Sequence, residues 1–179
     1  MKHREQNDAL KEGNKIAVQR YQFAIKCLGE LPKLVVDISC GFGYGSYLIR
    51  EAGHNVIGID NSQAAIDYAR ENYPGNYFVW DVEKIELSPF DVGVCLEALS
   101  HFKDPEAFIN KLKVKELLIS APIDPDPNDG YFFRRHNLSE RQFKDMLKDW
   151  KIVDEFWQKT KHNKYLTIYA RKYDENTIL

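Results

Sequence analysis

Residues 35–49 read VVDISCGFGYGSYLI, an apolar run that carries an acid, then three glycines at alternate positions, then helix-forming residues. Gly41, Gly43 and Gly45 between a strand and a helix let the backbone turn tightly and approach a ligand, with the helix N-terminus behind it. A nucleotide-like cofactor fits such a loop; so does a tight strand-to-helix turn with no ligand. The dinucleotide pattern G-x-G-x-x-G, counted from Gly41, has Ser46 at its third glycine. Asp37 stands at the end of the strand that feeds the loop, where a carboxylate repels a pyrophosphate and attracts an ammonium. S-adenosylmethionine (SAM) carries an ammonium and a sulfonium and no phosphate, so this charge favours SAM over a nicotinamide dinucleotide.

Two further acids and two histidines have placements that could do chemistry. Asp60 closes VIGID, 23 residues after Asp37, where a carboxylate can accept hydrogen bonds from two ribose hydroxyls. Its competing role is a cap for the helix SQAAIDYAR. Asp81 follows NYFVW, where the adenine of such a cofactor would lie, and is equally an ordinary loop acid. His101 and His136 are the candidate general bases for an acceptor that starts protonated, because neutral imidazole is available at pH 7; a hydrogen-bonded structural histidine is the alternative for each. Arg134 and Arg135 in YFFRRHN could clamp a phosphate, a carboxylate or a nucleic-acid end, or form a solvated basic turn beside packed aromatics. His3, His54 and His162 have no such placement.

Five short apolar runs must position these groups: LVVDI, NVIGID, NYFVW, FDVGVCL and ELLISA, each of the type that forms a buried parallel strand. Helical patterns separate them. Tyr47, Leu48 and Ala52 follow the glycines; Ala65, Ile66, Ala69 and Tyr73 share a face behind Ser62 as cap; Asp104 caps and Pro105 opens a third helix with Phe108, Ile109 and Leu112 on one side. Alternation of this kind implies an α/β fold with a parallel sheet. Ser139 and Gln142 make a capping box, Leu138 and Phe143 a hydrophobic staple, and Phe143, Met146, Leu147 and Trp150 line the helix that follows. KIVDEFW and KYLTIYAR are joined by a connection too short for a crossover helix, so they pair antiparallel. The proline-rich stretch APIDPDPNDG follows a parallel strand, at the ligand-binding end of such sheets.

The 179 residues are expected to fold as one domain, 1–179, with a helical N-terminal segment to about residue 30 and a polar, disordered tail from about 173. A net charge of −2 supplies no field that would draw the chain onto nucleic acid. Three cysteines, none in a C-x-x-C pair, indicate free thiols in a reducing compartment. The polar N-terminus does not resemble a signal peptide, and no apolar run approaches the roughly 18 residues of a membrane span. The expected location is cytoplasmic.

In order and spacing, DISCGFGYGS, VIGIDNS, FVWDVEKI and FDVGVCLEALSHFKDPEAF resemble the successive motifs of class I SAM-dependent methyltransferases. The likeness is greatest to the small-molecule and glycan-associated group, with its RYxFA helix, here RYQFAIKCL, and its ExxxHxxDPxxF segment; it covers roughly residues 17 to 150. It implies a Rossmann-like, doubly wound, seven-stranded, mostly parallel sheet with an antiparallel last strand. It also implies that Tyr21 on the first helix contacts the cofactor, that Gly41, Gly43 and Gly45 pass under the methionine part, and that Asp37 lies near its ammonium. Asp60 and Asn61 would hold the ribose, Asp81 and Val82 the adenine, and Leu96 and Glu97 would border the methyl-transfer centre. Some relatives bind a divalent ion through E-x-x-E-H; Glu97, Ser100 and His101 lack one of those carboxylates, so no metal is expected. The expected reaction is methyl transfer to an oxygen or nitrogen of a small-molecule or sugar-linked acceptor. The rivals are a nucleic-acid methyltransferase, a catalytically inactive SAM-binding partner subunit and a nicotinamide oxidoreductase.

Overall fold

A computed structural model describes residues 14–84, 86–87, 90–126, 134–160 and 163–173. The polar N-terminus to residue 13, the aromatic residues 131–133, His162 and the tail from 174 lie outside the described residues. Element order is α1 (Asn14–Leu28), β1 (Leu34–Ile38), α2 (Tyr44–Glu51), β2 (Asn55–Asp60), α3 (Gln63–Asn72), β3 (Asn76–Val79), β4 (Val92–Cys95), α4 (Pro105–Lys111), β5 (Glu116–Ile123), α5 (Glu140–Asp145), β6 (Trp150–Lys159) and β7 (Lys164–Lys172).

The strands form one sheet in the order β3-β2-β1-β4-β5-β7-β6. Parallel pairing runs from β3 across to β5, and β7 lies antiparallel to both β5 and β6. The expected sheet and its reversed final strand are therefore present. Successive side chains alternate between two covered faces, as period-2 geometry requires. Val36, Ile38, Leu117 and Ile119 pack with Phe108 and Ile109 of α4 and Phe143 of α5. Val35, Val92, Val94 and Leu118 pack with Phe23, Ala24 and Leu28 of α1 and Ile49 of α2.

Local signals set the helix starts. The Ser62 hydroxyl accepts from the Ala65 N–H, and the Asp104 carboxylate accepts from Ala107 N–H with Pro105 opening α4. Ser139 and Gln142 form the reciprocal capping box of α5. That helix is shorter than its periodicity predicts. It ends at Asp145, tight turns link Lys144 O to Leu147 N–H and Leu147 O to Trp150 N–H, and Trp150 begins β6 opposite Lys172. Phe143, Leu147 and Trp150 are buried in either arrangement, so the apolar pattern alone does not distinguish them.

α2 turns Gly45, Ser46 and Ile49 into the core, leaving Tyr47 and Leu48 half-buried. Gly45 is the second residue of this helix and not a loop glycine. A Cβ there would fall 1.8 Å from Cζ of the Tyr21 ring, so α1 crosses α2 where only glycine leaves room. Gly45→Ala is expected to destabilise the fold by about 1–3 kcal/mol, the range for overpacking a close contact. Urea unfolding reads this directly, and combination with Tyr21→Ala should relieve part of the loss.

Candidate functional site

The sheet order reverses direction at β1, with β2 and β3 to one side and β4 and β5 to the other. Crevices outside the carboxyl ends of strands at such a switch point bind ligands. Here a cavity of about 400 Å³ opens there, and each strand end contributes to its wall. Ser39 follows β1, Asp60 and Asn61 close β2, Trp80 through Glu83 follow β3, and Leu96 through Ala98 follow β4; His101, Phe102 and Arg135 complete it. Of the residues singled out by sequence, Asp60, Asn61, Asp81, Val82, Leu96, Glu97 and His101 thus meet around one space. Tyr21, Asp37, the three glycines and His136 do not form its wall.

Asp37 is placed differently from its expected role beside an ammonium. It is fully buried beneath the glycine turn, where Ser46 Oγ donates to Oδ2 at 2.6 Å and the Tyr21 hydroxyl reaches both carboxylate oxygens at 3.3 and 3.4 Å. Burial raises its pKa to about 7 despite these two donors. Tyr21 therefore serves Asp37, and Ser46 is the donor that a dinucleotide-type glycine could not be. Gly58, opposite Asp37 in β2, leaves space for that hydroxyl: a Cβ would lie 2.8 Å from Ser46 Oγ.

The glycines likewise divide. Gly43 has φ +80, and a Cβ on it would meet Ala69 and Tyr77 at 2.6 and 2.8 Å, so packing against α3 and β3 dictates it. Only Gly41, with φ +54 and nothing within 4 Å of a built Cβ, has open space beside it. Asp60 fixes that residue: Oδ2 accepts the Gly41 N–H at 3.0 Å and Oδ1 accepts the Ser62 N–H at 2.9 Å. Each oxygen keeps a second lone pair for a ligand hydroxyl. Asp60 thus braces the start of α3 and also lines the cavity.

Asp81 is ion-paired with Lys84 at 2.7 Å and accepts the Glu83 N–H; the Lys84 partner holds its carboxyl below the usual range. Lys111 Nζ donates to the carbonyls of Val82 and Glu83, and Glu83 accepts the Lys103 N–H. The wall after β3 is thereby tied to α4. Trp80, which sequence reading passed over as a strand residue, stacks on Phe78 with centroids 5.2 Å apart and stays 39% exposed at the cavity. The signal was an aromatic immediately before the loop acid.

His101 lines the cavity. His136 does not: its Nε2 donates to the carbonyls of Phe102 and Lys103, and the Arg135 and His136 N–H groups both donate to Ser100 O. This pins the Arg135 segment to the turn after β4, and the structural role for His136 replaces the base expected from sequence. Glu97 pairs with Arg20 at 3.3 Å, a partner that no local motif announces. Burial keeps the thiols of Cys27, Cys40 and Cys95 raised above their ordinary range, so none supplies a thiolate at neutral pH. Among the described residues no group of three or more His, Cys, Asp or Glu side chains could hold a metal ion, and no helix is long and apolar enough to cross a membrane.

Comparison with known proteins identifies the segment that carries this wall. Residues 36–114 match the family model described as a methyltransferase domain. That match takes in under half of the 179 residues and includes every strand end on the wall from β1 to β4. A ubiquinone biosynthesis O-methyltransferase of Actinobacillus pleuropneumoniae is 31% identical over 100 residues, covering 49% of this chain and 43% of that protein. An uncharacterized RNA methyltransferase of Protochlamydia amoebophila is 32% identical over 103 residues, 51% of this chain and 22% of that protein. The chain thus spans less than half the length of these curated relatives. Magnesium protoporphyrin IX methyltransferase from Synechocystis PCC 6803, solved with bound SAH, superposes with a TM-score of 0.72 at 17% identity, covering 87% of this chain and 82% of that one. The fold of the chain is accordingly Rossmann-like.

The Asp37 proton gives a measurable signature. A carboxyl whose folded pKa is about 7, against 3.8 unfolded, contributes stability that is fully present below the unfolded value and is lost as pH rises through the folded one. Wild-type protein should therefore lose stability relative to Asp37→Asn between about pH 4 and pH 7, with the two curves running parallel above that window. Urea unfolding of both proteins across this range is the check.

Proposed function

We propose that this chain is a SAM-dependent methyltransferase acting on an oxygen, or alternatively a nitrogen, of a small-molecule acceptor. The observation that carries the reading is Asp60, an acid at the end of β2 that braces Gly41 and still faces the cavity of a methyltransferase domain. Its two oxygens suit the paired hydroxyls of a ribose. Asp81 and Val82 suit an adenine edge, Trp80 offers a flat ring beside it, and Leu96 an apolar floor.

The wall carries four acids, Asp60, Asp81, Glu83 and Glu97, beside Arg135 and His101; Lys84 pairs with Asp81 and Arg20 with one oxygen of Glu97, which leaves the Asp60 and Glu83 carboxylates and the second Glu97 oxygen as its anionic groups. That balance disfavours a diphosphate and suits a cationic nucleoside. It carries the charge preference that Asp37, buried away from the cavity wall, does not. When bound, SAM supplies an activated methyl group on a sulfonium. The residues' part is to bind, to orient and to exclude water, since in-line displacement gains most from alignment. Transfer to oxygen is supported by the O-methyltransferase relative.

RNA methylation is a second reading, supported by the RNA methyltransferase relative and by Arg135 at the cavity rim. It requires salt-sensitive RNA binding that weakens in the Arg134→Ala, Arg135→Ala double variant.

Calorimetry with SAM, SAH and NAD, followed by transfer of labelled methyl to a panel of phenols, alcohols, amines and RNA, tests the proposal. Binding of SAM and SAH without NAD is expected, with Asp60→Asn weakening SAH about tenfold or more, as loss of a charge-assisted hydrogen bond implies. Binding of NAD alone would overturn the reading. SAM binding with no labelled product from the whole panel would favour an inactive partner subunit.

A further inference from the structure

Resting on the methyltransferase reading, we infer that Glu97 presents an open carboxylate oxygen to the point of methyl transfer and is the catalytic residue that receives the proton of a hydroxyl acceptor. The sequence places its bases on histidines; the geometry points to this acid.

Glu97 directly follows Leu96 at the end of β4 and lines the cavity with a side chain 37% exposed. Its Oε1 is occupied, paired with Arg20 at 3.3 Å and accepting from Ser120 Oγ at 3.4 Å. Its Oε2 has no partner among the described residues. The backbone is held as firmly. Glu97 adopts φ +66, a left-handed conformation that strains a non-glycine residue by about 1–2 kcal/mol, and its N–H donates to Ser120 Oγ at 2.9 Å. Arg20 is 3% exposed, lies 4.4 Å from the centroid of the Tyr165 ring, and its Nε has no hydrogen-bond partner among the described residues. A buried guanidinium with an unsatisfied donor is retained at a cost, and what it does here is hold one oxygen of Glu97 so that the other stays in the cavity.

Position along the cavity follows from the strand order. A ribose held at Asp60 on β2 and a base at Asp81 beyond β3 would put the nucleoside on one side of the switch point, with its sulfur end toward β4, where Glu97 stands. Burial raises the Glu97 pKa, opposed by Arg20, Ser120, His101 and Arg134, which are the groups that face it. A carboxylate made more basic in this way is a better match for proton acceptance near neutral pH. In the step itself, the acceptor's O–H proton passes to Oε2, the oxygen lone pair forms the new bond to the methyl carbon, and the carbon–sulfur pair remains on sulfur as a neutral thioether. The proton then leaves to solvent through the open cavity.

The test does not depend on knowing the acceptor. Sinefungin carries an ammonium on carbon where SAM carries its sulfonium methyl, so it reports on charge at the transfer point. Wild-type protein should bind sinefungin about tenfold or more tightly than SAH, the scale of a hydrogen bond to a charged group. Glu97→Gln should abolish that preference while leaving SAH affinity within about threefold. The preference should also decline as pH falls and Glu97 takes up a proton, and should do so in His101→Gln as well. For any hydroxyl acceptor in the panel, Glu97→Gln should lower kcat by about 10²–10⁴-fold with little change in KM for SAM. Equal binding of sinefungin and SAH, unaffected by Glu97→Gln, would overturn this role and leave the cofactor reading standing. Binding of neither compound would overturn both.

Discussion

The arrangement depends on a carboxyl group buried in the middle of a sheet. Asp37 occupies a core-facing position of β1, among residues that are otherwise aliphatic, and an unpartnered acid there would cost several kcal/mol. Ser46 from α2 and Tyr21 from α1 supply the donors, and meeting that need fixes the neighbours. Gly58 must lack a side chain to admit the serine hydroxyl, and Gly45 must lack one to admit the tyrosine ring. One acid thus specifies how two helices dock on β1 and β2. The turn between β1 and α2 inherits its position from that docking.

From the turn, constraint passes to the cavity through backbone donors. Cys40 N–H bonds to Ile59 O, Gly41 N–H to Asp60, and Trp80 N–H to Asp60 O, so the ends of β1, β2 and β3 are laced together just beneath the wall. On the other side of the switch point, Ser120 and Arg20 hold Glu97, and Ser100 O receives the two N–H groups of the 135–136 segment. Ser39 and Glu97, both on the wall, have positive φ without being glycine, at +58 and +66. Strain of this kind persists where surrounding bonds over-determine a conformation, and here those bonds end at the cavity.

Much of the frame was legible because its signals are local. Aliphatic runs gave β1, β2 and β5, and Ser62, Asp104 and Ser139 marked three helix starts by the side-chain oxygens they offer. Asp60 and Asp81 were legible as acids at strand ends. What failed was any inference that needed a distant partner. Nothing near Gly45 says that a ring from α1 lies against it, and Arg20 and Glu97 are far apart in sequence. Asp37 looked like a ligand group because a lone acid in an apolar strand requires an electrostatic partner; the partners proved to be two hydroxyls of the protein itself. His136 looked like a base because a loop histidine is cheap to imagine ionising, whereas two backbone carbonyls claim its Nε2 proton. Trp150 shows the limit of periodicity, since burial at a helical spacing is satisfied as well by a turn and a strand.

The electrostatics of the wall bear on where catalytic power can come from. In methyl transfer from a sulfonium, positive charge is dispersed as the methyl group moves, so a fixed anionic wall favours the charged ground state at least as much as the transition state. Such a wall promotes binding but cannot by itself accelerate the chemical step. Acceleration must then arise from alignment, and from a change in charge that develops only during reaction. The laced strand ends supply the first by holding the walls of one small cavity in fixed relation. On the proposed reading a hydroxyl acceptor would supply the second, because its proton becomes more acidic as its oxygen gives up density to the incoming carbon. Within the described wall, a carboxylate oxygen next to that developing charge gains interaction energy in the transition state that it does not have in the ground state, and Glu97 is the acid on the β4 side of the switch point.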